Sequence, residues 1–321
     1  MNRRILVVAL NPALDITHEL PRVEWAGVNR PAAVRSRPGG KGINVARMLH
    51  ALSADVLVVG LSGGRTGDEV RFALAETGVR AAFTEIAGET RRTFAVVDAL
   101  RGQTTLFNEP GPHISAAEYA PFRGRYEAEV AQSAAVVLSG SLPRGLSADT
   151  YAALAGTAAA VGVPVVLDAE GQTLLQGLAA KPAIVKPNLA ELSGAVGRPL
   201  SGAGGAAQAA VAAAAFELRD AGAQAVVVSL GAHGLLAVAG DGVWQAAQPG
   251  QVAGNPTGAG DAVVAGLTHR LVLGRPWPER LRHAAALGSA AAAAPVAGEF
   301  CPADYARALG EIRISRLGAS W

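Results

Sequence analysis

The heptapeptide Asn255-Pro256-Thr257-Gly258-Ala259-Gly260-Asp261 runs directly into the apolar stretch Ala262-Val263-Val264-Ala265-Gly266-Leu267. Its glycines allow a tight turn with amides pointing one way, and a helix starting behind them adds partial positive charge, so the turn suits an anion. A carboxylate there would repel a resting phosphate. Asp261 is therefore read as a group that holds and deprotonates a hydroxyl while neighbouring amides receive charge developing on a transferring phosphoryl group. An ordinary helix start uses the same residues, because Asp and Thr cap helices widely. The heptapeptide alone leaves both readings open.

A second glycine-rich turn, Pro38-Gly39-Gly40-Lys41-Gly42, leads into the helical pattern Ile43-Asn44-Val45-Ala46-Arg47. The amide of Asn44 can donate and accept, as a sugar diol requires, and Lys41 offers a flexible cation for phosphate. This is not a P-loop, since Arg35 and Gly42 stand where that pattern needs Gly and Ser or Thr. Gly258 and Gly260 also fail a dinucleotide fingerprint, whose third glycine would fall on Val263. Further along, Lys186-Pro187-Asn188-Leu189-Ala190-Glu191 follows a short apolar strand. Asn188 and Glu191, three apart, share a helical face and could hold the water shell of Mg²⁺; an acidic first helical turn looks the same. Ser229-Leu230-Gly231-Ala232-His233-Gly234 and Ser139-Gly140-Ser141-Leu142-Pro143 each end a strand in a polar turn. The first suits nucleotide phosphate or ribose, the second a polyol or phosphate, and either could be a plain connection.

The elements that must hold these groups are short apolar strands alternating with helical segments. Strands are predicted at 5–10, 56–60, 135–138, 163–168, 184–186 and 225–230, with helices at 42–52, 66–78, 147–161, 205–221 and 262–273. Such alternation means a parallel sheet covered on both faces, which also explains the unbroken apolar strands. Residues 11–38 and 88–112 break the rhythm and read as a small separate sheet that could cover a ligand crevice as a lid. The expected organisation is one domain over 1–321 carrying that lid.

Composition narrows the partners. With 28 Lys plus Arg against 26 Asp plus Glu, the net charge of +2 is scattered, which argues against nucleic acid. Cys301 is the only cysteine, so no internal disulfide or Cys-cluster metal site forms, and a reducing compartment suits the chain. No stretch approaches the roughly 20 apolar residues of a membrane span, and the run 5–10 is short for a signal peptide. The expected location is the cytoplasm. The alanine tracts 212–215 and 290–294 point to close-packed helices.

Taken in order, Asn11-Pro12-Ala13-Leu14-Asp15, Gly39 to Arg47, Gly88-Glu89-Thr90-Arg91, Ser139 to Pro143, Lys186-Pro187-Asn188 with Glu191, and Thr257 to Asp261 resemble the ribokinase-like (PfkB) carbohydrate kinases. The first motif, Val28-Asn29-Arg30, Gly-Glu-Thr-Arg and Gly-Ser-Leu-Pro are most similar to the 1-phosphofructokinase and tagatose-6-phosphate kinase branch. That resemblance covers about residues 5–295. It implies an α/β fold of three αβα layers with a mostly parallel central sheet and a small β-sheet lid.

By the same resemblance, Asp261 is the base and Gly258, Ala259 and Gly260 form the anion hole. Asp15, Gly39, Gly40 and Asn44 are implied at the sugar, with Lys41, Arg30, Arg91 and Ser141 as candidates for a phosphate already on the substrate. Lys186, Asn188, Ser229 and Gly231 are implied along ATP, Ser289 on the adenine side, and Glu191 near Mg²⁺ through water. The implied reaction is ATP-dependent phosphorylation of tagatose 6-phosphate, fructose 1-phosphate or fructose 6-phosphate to a hexose bisphosphate. A homodimer through the lid is implied by analogy.

Three departures stand out. Ala262 replaces a common serine, and Asp168-Ala169-Glu170-Gly171 replaces Asp-Thr-Ser-Gly. Arg91-Arg92-Thr93-Phe94-Ala95 lacks the Asn and Lys often found two and four positions past the Arg in 1-phosphofructokinases. The last argues against fructose 1-phosphate and also leaves room for an unphosphorylated sugar or nucleoside as acceptor. A non-catalytic sugar-binding regulator on the same fold is the reading from another class.

Overall fold

The computed structural model describes residues 4–201, 205–247, 257–294 and 296–318. Asn255 and Pro256 of the glycine-turn motif lie outside them. In chain order the elements are β1 (Ile5–Ala9), β2 (Ala13–Leu20), β3 (Ala33–Gly39), α1 (Lys41–Ala51), β4 (Val56–Ser62), α2 (Gly64–Glu76), β5 (Arg80–Glu85), β6 (Arg91–Asp98) and β7 (Gln103–Asn108). They continue with α3 (Ala116–Val130), β8 (Ala135–Ser139), α4 (Thr150–Ala160), β9 (Val165–Asp168), α5 (Gly171–Gly177), β10 (Ile184–Val185), α6 (Leu189–Val196) and α7 (Gly205–Asp220). The last group is β11 (Val226–Ser229), β12 (Leu235–Ala239), β13 (Gly242–Ala247), α8 (Ala259–Val272), α9 (Trp277–Ala293), α10 (Pro302–Glu311) and β14 (Arg313–Leu317).

Ten strands form one sheet in the order β14-β13-β12-β11-β10-β9-β8-β1-β4-β5. From β11 to β5 every pairing is parallel, while β12, β13 and β14 add an antiparallel edge. Alternation along β1 shows how both faces are buried: Leu6 and Val8 join the core with Phe122, Tyr126 and Tyr151, while Ile5 and Val7 join the core with Ile43, Val264 and Leu287. The alanines do what their size allows. A Cβ added at Gly266 on α8 would stand 2.7 Å from the Ala284 Cα on α9, and Ala212, Ala214 and Ala215 are fully buried on α7.

A second sheet, β3-β2-β6-β7, is built from the two segments that break the alternating rhythm. Its register places Asp15 opposite Thr93 and Ala13 opposite both Gly39 and Arg91. The predicted strands and helices all form, with small shifts: the third helix starts at Thr150 and β10 is only two residues long. Sequence periodicity did not indicate α3, α5, α9, α10, β5 or the β12–β14 edge. Among the described residues, no helix is long and apolar enough to cross a membrane.

Candidate active site

The carboxyl ends of β1, β8, β9, β10 and β11 open into a cleft of about 1010 Å³, roofed by the small sheet and closed behind by α8 and α9. Ligands bind at such sheet ends because the loops there diverge and helix N-termini converge.

Asp261 is the third residue of α8, 6% exposed, and does not serve as a cap. Gly258 is the N-cap, left-handed at φ 84°, and a Cβ there would press against Ala297 at 3.0 Å. The first-turn amides of Ala259, Gly260 and Asp261 have no partner within the helix. Asp261 instead turns into the cleft, where its Oδ2 accepts from Asn44 Nδ2 at 2.9 Å. Burial, then the charge of Asp168, push its carboxyl up to about 7; Asn44, Lys41 and Lys186 oppose that rise.

A charge cluster lies beside it. Lys186 Nζ is 3.2 Å from Asp168 Oδ1, Lys41 Nζ is 3.6 Å from both Asp168 Oδ1 and Glu191 Oε1, and the Ser139 hydroxyl donates to Asp168 Oδ2 at 3.0 Å. Burial disfavours ionisation of Asp168, but the two lysines and Ser139 outweigh it and hold the carboxyl below its usual range. Burial works against the Lys41 charge too, yet Asp168, Glu191, Asp261 and Glu170 keep its pKa above the ordinary value. The structure thus groups Lys41 with Lys186 and not with Arg91. Asn188 and Glu191 form a reciprocal capping box on α6, Glu191 Oε2 accepting from Asn188 N at 2.8 Å, while both line the cleft.

The sugar-side candidates separate into three groups. Asp15, Gly40, Asn44, Arg91 and Ser141 line the cleft. Asp15 accepts from the Thr93 hydroxyl, its neighbour in register, and burial raises its carboxyl despite Thr93, Arg91 and Arg47. Gly39 stands behind Asp15: a Cβ at that position would overlap the carboxylate, so the glycine makes room for it. Arg30 is exposed on the β2–β3 connection and does not line the cleft of this chain. In Gly88-Glu89-Thr90-Arg91 only Arg91 reaches the cleft; Glu89 accepts from Thr66 N at 2.6 Å and Thr90 from Gly63 N at 3.0 Å, fastening α2 to β6.

Of the residues expected along ATP, Ser229, Gly231 and Ser289 line the wall with Ala232, Leu235 and Gly288. Gly231 is left-handed at φ 58°, and Ser229 N donates to Pro187 O at 3.0 Å, which joins the β10 and β11 exits. Sequence reasoning did not single out Asn11, Thr93, Arg144 or Asp168 as site residues, though all four line the cleft. Asn11 lay inside a quoted motif and Asp168 at a strand's carboxyl end, so position alone could have found both.

Fold and cleft together define a ribokinase-like sugar kinase, in which the starts of α1 and α8 meet at Asn44 and Asp261. Residues 9–303 match the pfkB family of carbohydrate kinases, and the chain belongs to that family. It is an ATP-dependent sugar kinase, and kinases of this family use ATP with a divalent metal. Phosphofructokinase-2 from Escherichia coli is similar over 97% of this chain and 99% of its own, at 30% identity and TM-score 0.87. A structure of the same enzyme in complex with fructose-6-phosphate aligns over 97% and 99% at 30% identity and TM-score 0.85. A Thermotoga maritima chain described as a possible 1-phosphofructokinase aligns over 98% and 100% at 25% identity and TM-score 0.87.

Proposed function

We propose that the protein transfers the γ-phosphoryl group of ATP to a hydroxyl of a phosphorylated ketohexose, giving a hexose bisphosphate. The acceptor is tagatose 6-phosphate, fructose 6-phosphate or fructose 1-phosphate, and Asp261 is the base. The observation that carries this reading is a buried carboxyl, pushed up to about 7, at the first turn of α8. A group poised near neutral pH can take a hydroxyl proton without being a permanent anion beside phosphate.

In this reaction the acceptor oxygen attacks the γ-phosphorus as its proton passes to Asp261, and the bond to the bridging oxygen of ADP breaks in line. The free amides of Ala259, Gly260 and Asp261 lie where charge on the transferring group would collect. Asn44 orients Asp261, and Asp15 and Gly40 hold other sugar hydroxyls. Arg91 and Ser141 face the phosphate already on the sugar. Lys186, Asn188, Ser229 and Gly231 follow the ATP phosphates and ribose, with Ser289 toward the adenine.

The described residues include no cluster of three His, Cys, Asp or Glu that could hold a metal directly. Glu191, a cleft carboxylate with Oε1 turned to Lys41, fits Mg²⁺ held through water and ATP oxygens. Mg²⁺ would supply charge neutralisation on the phosphates.

The small sheet serves as a lid, excluding water from the transfer. Its exposed Val34, Leu106 and Phe107, with Trp25 and Val28 on the adjoining connection, support a homodimer formed through it. Arg30 joins a phosphate site only across such an interface. A cytoplasmic setting fits these substrates.

ATP consumption against a panel of ketohexoses, their monophosphates and nucleosides tests the proposal. Turnover confined to ketohexose monophosphates is expected; turnover confined to unphosphorylated acceptors, or none at all, overturns it.

A further inference from the structure

The sugar end of the cleft carries a second guanidinium. Arg144 follows the polar turn after β8, and its backbone is pinned by an isolated bridge to His113 and by Ile114 N donating to its carbonyl at 2.8 Å. Its Nε donates to the carbonyl of Gly111 at 3.3 Å. Arg91, at the start of β6, is anchored the same way, with Nε donating to the carbonyl of Asn11 at 3.3 Å.

Asn11 joins the two anchors. Its Nδ2 donates to Ser141 Oγ at 3.0 Å, and its Oδ1 lies so close to Gly111 that a Cβ there would overlap it. That Oδ1 is buried and has no hydrogen-bond partner. Three segments distant in sequence therefore meet around one asparagine, and two of them bring donors, Arg91 and Ser141 with Arg144, to the same end of the cleft.

The charge balance at this end differs from that beside Asp261. Lys41 and Lys186 are both ion-paired, whereas neither Arg91 nor Arg144 has an ion-pair partner among the described residues. Glu109 also lines the cleft and its charge is felt by Arg91, but its Oε2 already accepts from Arg92 N at 2.8 Å. Each arginine uses Nε on a carbonyl and keeps its terminal nitrogens for something else. Two such forks suit the oxygens of a phosphate dianion, with the Ser141 hydroxyl as a further donor.

We infer that Arg144 is a specificity-determining residue of the sugar site, closing with Arg91 on a phosphate ester at the far end of the acceptor from the hydroxyl that faces Asp261. This rests on the phosphosugar reading above. A free sugar leaves both forks without an anion, and that loss is the source of the discrimination.

The test is steady-state kinetics of the full-length Arg144→Ala and Arg144→Lys variants, using whichever of tagatose 6-phosphate, fructose 6-phosphate or fructose 1-phosphate the wild type turns over best. Loss of a charge-assisted contact should raise the acceptor KM of Arg144→Ala roughly 10- to 100-fold. The KM for ATP at saturating acceptor should move less than about threefold, and Arg144→Lys should recover part of the acceptor KM. Thermal melting of each variant checks folding; Arg144→Lys keeps the charge and stem should Arg144→Ala melt early. If phosphosugars are substrates and both variants keep the wild-type acceptor KM, the Arg144 assignment falls while the phosphosugar reading stands. If the wild type uses only unphosphorylated sugars, the phosphosugar reading falls and Arg144 with it.

Discussion

Asn44 Nδ2 donates to Asp261 Oδ2 at 2.9 Å, joining the first turn of α1 to the first turn of α8 across the floor of the cleft. The amide favours the ionised carboxylate and so opposes the burial that raises its pKa. Because the base must be deprotonated to accept a proton, kcat/KM should rise with pH through an acid limb near 7. Replacing Asn44 with Ala removes a bond to the charged form, so the limb should move to higher pH. A pH profile of kcat/KM for both proteins checks this, and an unmoved limb would detach Asn44 from the role of tuning Asp261.

Asp261→Asn separates catalysis from stability. The rate constant kcat should fall by about 10²- to 10⁴-fold, while the Kd for ATP measured by calorimetry changes little. Stability should move the other way. The folded carboxyl titrates near 7 against an ordinary value of 3.8, so the native state binds a proton that the unfolded chain has released. Its contribution is therefore full below about pH 4 and is lost as pH rises through 7. Asn is neutral throughout and can still accept from Asn44. The variant should melt several degrees above wild type at pH 8, with the gap shrinking as pH falls toward 5.

Much of this site was legible because its backbone geometry demands particular residues. Gly258 is left-handed, Gly40 is left-handed at φ 88°, and Gly39 clears space for Asp15, so the glycines had to appear in the sequence. The alternation of β1 through β11 with helices likewise follows from burial on both faces. Arg144 was harder, because its placement depends on a bridge to His113 and a bond to the carbonyl of Gly111, 33 residues away, that no local spacing encodes. Arg30 shows the converse: it sits in a motif, yet it is exposed on the β2–β3 connection and does not line this chain's cleft. Helix α3 is not legible although Ser115 and Glu118 form a capping box, because Pro121 lies inside it, where a proline argues against a helix, and its buried positions are sparse. Helix α9 hides in alanine, whose burial gives little periodic contrast.

Asp168→Asn should damage both folding and the proton balance. Lys186 is 3% exposed with Asp168 as its ion-pair partner, so the substitution leaves a buried cation without its counter-charge. The cost should be on the order of 3 kcal/mol at neutral pH. The folded Asp168 carboxyl is depressed, so its contribution is present above the unfolded value near 4 and lost as pH falls through the lower folded value. The deficit should therefore narrow in acid. The charge of Asp168 also raises Asp261, so in the variant the acid limb of kcat/KM should shift to lower pH. Denaturant melts at several pH values and the rate profile read these two effects independently.

Glu299 ties the small sheet to the turn packed against Gly258 at the start of α8. It pairs with Arg37 on β3 and with Arg47 on α1, the latter at 2.9 Å. Arg47 is only 8% exposed, and burial together with the charge of Arg37 lowers its pKa to about 10. Its Nη1 also donates to the carbonyl of Ala297, the residue against which Gly258 packs. Glu299→Gln leaves two neighbouring guanidiniums without the carboxylate between them. Glu299 is itself partly exposed, so solvent screening limits the loss to about 1–2 kcal/mol, a melting temperature lower by a few degrees. Adding Arg37→Gln should return part of that loss by relieving the repulsion on Arg47. A double variant no more stable than Glu299→Gln alone would show that the acid acts on the two arginines separately and does not couple β3 to α1.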